Sequence, residues 1–236
     1  MNLRRDARVL RTGMRTGMTV TAAVAGLAVL TACGGPVRMG SAAIIGSHSV
    51  SATTLGNEVT NLNRAYHASG GRIRLQFPPS QTPQAVLSWL VRFRVREQLA
   101  TRAGVSVTPG ASQRALAAAR AQARQSSASL DNLAVANGLP PDMLTKLGRY
   151  QAIETAVLRQ LDGGTLPTSN SALQALGKQF NREQCLAAKS LRIQINPQFG
   201  RMDYTQLSVV PAASTLSAPQ LVKSSPKPPT GSSPQC

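Results

Sequence analysis

Capping residues, glycines and prolines divide residues 51–190 into six helical segments, and this punctuation leaves little chain for a large sheet. Ser51 stands where an N-cap belongs, ahead of Leu55, Val59 and Leu62 at i, i+4 and i+7, and Gly70-Gly71 closes the segment. After a Pro-rich loop, Thr82 and Pro83 open the clearest helix, which runs to Ala103 and stops at Gly104. Val86, Leu90 and Phe93, with Leu87, Val91 and Val95, give it a broad apolar face. Arg92, Arg94, Arg96 and Arg102 load its other sides and read as a solvated face, with an anionic contact through Arg92, Arg94 and Arg96 as the alternative. Thr108-Pro109 opens an Ala-rich helix to Gln125, with Leu116, Ala119 and Ala123 on one face and Arg114, Arg120 and Arg124 outside. A short helix over 130–137 turns Leu130, Leu133 and Ala134 inward and ends at Gly138. Pro140-Pro141-Asp142 begins a helix carrying Met143, Leu147, Tyr150, Ile153, Val157 and Leu161, stopped by Gly163-Gly164. The last covers 168–189, with Leu173, Leu176 and Phe180 together.

Strands are predicted only at the two ends of this set. Ala42-Ala43-Ile44-Ile45-Gly46 is a short apolar run ended by glycine, a buried strand, with a turn at Ser47-His48-Ser49. Leu191-Arg192-Ile193-Gln194-Ile195 alternates apolar and polar at period two, a half-buried strand ended by Asn196-Pro197, and Phe199-Gly200 follows as a turn. Pairing these two would bring the ends of the fold together, giving a mainly α (α+β) architecture over residues 42–204. Residues 205–236 read as a Pro/Ser-rich flexible tail, because Ser, Pro, Thr and Lys dominate from Ser214 onward and offer too little apolar surface to order the chain.

The N-terminus carries a different message. Arg4, Arg5, Arg8, Arg11 and Arg15, offset only by Asp6, precede an apolar run from Val20 to Leu30. A basic start, an apolar middle and small residues make a secretory leader over 1–32. The apolar run is too short to span a bilayer, which takes about 20 residues. Leu30-Thr31-Ala32-Cys33 matches a bacterial lipobox, which implies lipidation of Cys33, a short tether over 33–41 and residence on the outer face of the cell membrane. Translation from Met1, Met14 or Met18 would each leave the lipobox intact, and Arg4-Arg5 is a weak twin-arginine signal.

Charge and cysteine usage narrow the partners. The chain has 26 basic and nine acidic residues, +17; the leader holds five Arg and one Asp, so the processed chain keeps 21 basic and eight acidic, +13. Scarce acids account for this more than crowded bases. The excess suits an anionic envelope surface or acidic clients, and no nucleic-acid-binding motif is present. With Cys33 assigned to lipid, Cys185 and Cys236 remain, and an oxidising compartment allows them to pair. Cys33, Cys185, Cys236, His48 and His67 have no metal-ligand spacing. No Gly-x-Ser-x-Gly, His-Glu-x-x-His, P-loop or paired-carboxylate constellation occurs, so neither an enzyme nor a cofactor is expected.

Four short motifs add to this reading. Ala42–Gly46 followed by Val50-Ser51-Ala52-Thr53-Thr54-Leu55 gives an apolar strand, a turn and a helix opening. Gly104-Val105-Ser106-Val107-Thr108 steps between helices, as does Gly138-Leu139-Pro140-Pro141-Asp142-Met143-Leu144. Ile195-Asn196-Pro197-Gln198-Phe199-Gly200-Arg201 closes the last strand. In this order they resemble the N-terminal chaperone domain of SurA-like, parvulin-type extracytoplasmic folding factors, in the form seen in actinobacterial lipoproteins. The resemblance covers roughly residues 42–204. Family members insert a parvulin isomerase domain of about a hundred residues after the long helix; here about 25 residues separate Gly164 from Leu191. The isomerase activity is therefore not carried over. What the resemblance implies is a binding module that holds or escorts client polypeptide by apolar contact. Trp89, Phe93, Tyr66, Phe77 and Tyr150, with Met143 as an adaptable neighbour, are the candidates for a client-facing surface, and core packing is the competing role for each. The alternative is an envelope lipoprotein that uses its basic faces to dock one partner or an anionic polymer.

Overall fold

The computed structural model describes residues 40–165 and 167–212. Cys33, Cys236, the leader and the chain beyond 212 lie outside the described residues. The described residues all fall in one compact unit. Its elements are β1 (Ser41–Ile45), β2 (His48–Ser51), α1 (Ala52–Ala68), α2 (Thr82–Arg102), α3 (Pro109–Gln125), α4 (Leu130–Ala136), α5 (Leu144–Leu161), α6 (Asn170–Ser190), β3 (Gln194–Ile195), β4 (Arg201–Asp203) and β5 (Ser208–Val210). The fold is mainly helical with small antiparallel sheets.

Helix starts follow the capping chemistry. The Ser51 hydroxyl accepts from the Thr54 N–H at 2.9 Å and the Thr108 hydroxyl from the Ala111 N–H at 3.2 Å. Each satisfies one donor that the first turn leaves unpaired. Thr82 differs from expectation: it already lies inside α2, and its hydroxyl donates to the Pro79 carbonyl at 2.7 Å.

β1 is the middle strand of three. It pairs antiparallel with β2 on one side and with β3 on the other, Ala43 opposite Ile195, so the two ends of the fold do meet. Asn196 fixes that join: its N–H donates to the Ala42 carbonyl at 2.9 Å and its side-chain Nδ2 to the Ser41 carbonyl at 3.0 Å. β2 takes in His48 and Ser49, which the sequence reading gave to a turn; the turn is Gly46-Ser47. Only Gln194 and Ile195 form a strand in the segment 191–195. Leu191 closes α6 and Arg192 adopts φ +46°, so the chain must turn before it can pair.

α2 is the central helix. It packs against α1, α5, α6 and β5. Val86, Leu87, Val91, Val95 and Leu99 are buried along it. Because neighbours surround it, its arginine side is not a solvated face. Arg96 is 3% exposed, and Arg92 donates from Nε to the Leu207 carbonyl at 3.0 Å; only Arg94 and Arg102 are exposed. The β4–β5 hairpin that Arg92 holds also corrects the boundary at residue 204. Val209 is buried and its N–H donates to the Ser88 hydroxyl at 2.8 Å, so the ordered fold continues to at least 210.

α3 approaches α5 through small residues. A Cβ on Gly148 would stand 2.6 Å from the Ser112 carbonyl and 2.9 Å from the Leu116 Cβ. The exposed side of α3 carries Arg114, Arg120 and Arg124 as expected. Leu133, expected inward, is 41% exposed, and Leu173, on the face shared with the buried Leu176 and Phe180, is 45% exposed.

Candidate functional site

The described residues enclose a cleft of about 520 Å³ where β2, the first turn of α1, α2 and α5 converge. Each element supplies residues its sequence places there. Val50 comes from β2, Leu90 and Phe93 from the apolar stripe of α2, and Tyr150 and Ile153 from that of α5. These five form the apolar wall. Ser49 and Thr54 add hydroxyls at one end. Arg94, Arg96, Lys146 and Arg149 supply four cations against one carboxylate, Glu97. Pockets that take ligands commonly have such an apolar lining with a few convergent polar groups.

Beside the cleft stands an edge. β2 has β1 on one side and no strand on the other among the described residues. Alternate residues of an antiparallel strand turn their N–H and C=O away from the partner, so such an edge is a template for another extended chain.

The cations are not equivalent. Arg149 donates to both oxygens of Glu97, at 2.6 and 2.8 Å, and to the Val107 carbonyl at 3.1 Å. The hydrogen bonds to Glu97 raise the pKa of this guanidinium and bind the cation into the scaffold between α2 and α5. Arg94 and Lys146 are exposed and form no ion pair among the described residues. Arg96 stands in the wall with its guanidinium carbon 4.0 Å from the Tyr150 ring centroid and 4.8 Å from that of Phe180. Its Nη2 lies 3.3 Å from a Glu154 oxygen, and Nε and Nη1 are buried with no acceptor. Buried donors are nearly always paired, so this residue is unusual. Arg96 and Tyr150 also line a second cavity of about 460 Å³ between α5 and α6, walled by Leu158, Leu173, Leu176 and Phe180.

Lys146 lies near a carboxylate pair outside the cleft. Burial first, then the charge and hydrogen bond of Asp142, raise the Glu58 carboxyl above its ordinary range, and Lys146 and Asn61 oppose this.

Three of the six aromatic and Met candidates converge. Trp89, Phe93 and Tyr150 form a triangle with ring centroids 5.7, 6.0 and 6.1 Å apart. Phe93 and Tyr150 face the cleft; Trp89 is behind them, its indole N–H donating to the Asn137 carbonyl at 2.8 Å. Met143 is 1% exposed in the core beneath this triangle and has no client-facing surface. Tyr66 and Phe77 pack against the main core, away from the cleft. Cys185 is disulfide-bonded; the pairing expected with Cys236 lies outside the described residues, as does lipidation of Cys33.

Pattern reading missed Glu97, Lys146 and Arg149, and it favoured a solvated face for Arg96 over an anionic contact. Glu97 and Arg149 meet across 52 positions of sequence, which no local spacing reports. No protein-family model, curated protein or solved structure matches this chain.

Proposed function

We propose that this chain is a lipid-anchored extracytoplasmic protein that holds extended polypeptide, without catalysis, in the cleft between β2, α2 and α5. The observation that carries the reading is the outer edge of β2, unpaired among the described residues, beside an apolar wall of Val50, Leu90, Phe93, Tyr150 and Ile153. An extended chain added to such an edge gains main-chain hydrogen bonds whatever its sequence, while the pocket takes an alternate side chain. That combination suits a holder of many clients. The SurA-like resemblance and the lipobox motif supply the compartment and the anchor at Cys33. The exposed Arg114, Arg120 and Arg124 of α3 support the second reading, docking to an anionic polymer or a dedicated partner.

The test is suppression of aggregation of an unrelated unfolded protein by residues 36–236, which contain both core clusters. Suppression that survives raised salt is the expected result. Suppression that disappears steeply with salt would favour the electrostatic reading, and none at either salt would overturn the holding function.

A further inference from the structure

The cleft has more positive charge than its own carboxylates answer. Four cations line it; Glu97 is committed to Arg149, and Glu154 touches Arg96 through one nitrogen from outside. Glu58 and Asp142 lie near Lys146 but form no ion pair with it. Arg96 is 3% exposed and two of its guanidinium nitrogens are buried, so its charge is poorly screened and projects into the adjoining space. Arg94 and Lys146 are open to solvent and reach the same space with strong donors. Between these cations is the apolar wall. A ligand matching both has an apolar side chain and an anionic oxygen a short distance away.

We propose that the cleft selects polypeptide segments carrying a carboxylate, taken up with an apolar side chain against Phe93 and Tyr150 and the carboxylate facing Arg94, Arg96 and Lys146. This rests on the polypeptide-holding reading and narrows it. The carboxylate has two chemical sources, the free C-terminus of a chain or an Asp or Glu side chain within it. Charge complementarity singles out this occupant over a neutral strand, which would leave those cations unanswered on burial.

The experiment uses residues 36–236 and three tryptophan-free synthetic peptides of one apolar sequence. The first ends in a free carboxylate, the second in an amide, and the third in an amide with one interior Gln replaced by Glu. Binding is followed through the fluorescence of Trp89, the sole tryptophan, which packs on Phe93 and Tyr150. At low salt the free acid or the Glu peptide is expected to bind about tenfold tighter than the plain amide, and which of the two does so identifies the source. The double substitution Arg94→Ala and Lys146→Ala, at two exposed positions, should bring the affinity of the preferred acidic peptide down to that of the plain amide measured on the same variant. Equal affinity for all three peptides, or a preference untouched by the double substitution, would overturn the carboxylate selectivity and leave polypeptide holding intact. Failure of all three to bind would overturn both.

Discussion

Arg96 and Tyr150 stack with the guanidinium carbon 4.0 Å from the ring centroid, and this contact forms the partition between the two cavities. The arginine is buried with two donors unmet, while its carboxylate partner Glu154 is 41% exposed. A buried charge of this kind contributes little net stability, because its desolvation offsets its pairing. Arg96→Met should therefore unfold within about 1 kcal/mol of the parent or later, as Glu154 stays hydrated when left alone. Arg96→Ala should cost about 2–4 kcal/mol, because it also opens a void between Tyr150 and Phe180. Urea midpoints of the two variants check this, and equal losses in both would contradict it.

Arg92 holds the β4–β5 hairpin to α2 through the Leu207 carbonyl at 3.0 Å and the Gln206 carbonyl at 3.5 Å. Arg92→Ala should cost about 1–2 kcal/mol, since hydrogen bonds from a charged donor exceed neutral ones. The loss should be local. Hydrogen exchange at the Val209 N–H should quicken while amides of the α2 core keep their protection.

Gly148 lets α5 lie against α3. Gly148→Ala should destabilise by about 1–2 kcal/mol, because overpacking exceeds the helix-propensity gain. Gly56 and Gly177 are helical glycines with open space where a Cβ would go. Gly56→Ala should instead stabilise by about 0.5–1 kcal/mol. Thermal unfolding of the pair separates the contact from the propensity.

Glu58 gives a pH dependence with a definite sign. Its folded pKa is raised from 4.5 by burial and by Asp142. Below pH 4.5 the carboxyl is protonated in both states and favours neither. As pH rises past 4.5 the unfolded chain ionises first, so stability falls until the raised folded pKa is passed. Glu58→Gln should match the parent at pH 4 and be more stable at pH 7. Denaturant titrations at the two values decide it; an unchanged difference between them would remove Glu58 as the cause.

Cys33→Ala should move the protein from the membrane fraction to the soluble one, with the fold of residues 40–212 unchanged. Fractionation followed by immunoblotting reads this directly, and continued membrane residence would dismiss the lipid anchor.

Much of the helical order was legible because glycines, prolines and several capping residues mark where helices begin and end. Ser51 and Thr108 cap as their positions suggest, and the pairing of Ala43 with Ile195 follows from two apolar runs flanking a helical set. β4 and β5 were not legible: three residues each are too few for a period to show, and their pairing depends on contact with α2. The arginines of α2 misled for a related reason. An amphipathic reading assumes one side meets water, whereas α2 has protein around it, so Arg92 and Arg96 became a clamp and a cavity wall. The cleft itself depends on side chains from three distant segments and has no local signature.

The join at Asn196 has a temporal consequence. Its side chain reaches back 155 residues to Ser41, and ribosomes and export channels both deliver a chain from its N-terminus. β1 is therefore made early and finished late: among the described residues β2 is its only strand partner until nearly the whole fold has emerged. Contacts closing so long a loop form slowly. During that interval the nascent chain exposes the unfilled side of β1, an open strand edge of the kind that pairs readily with other extended chains.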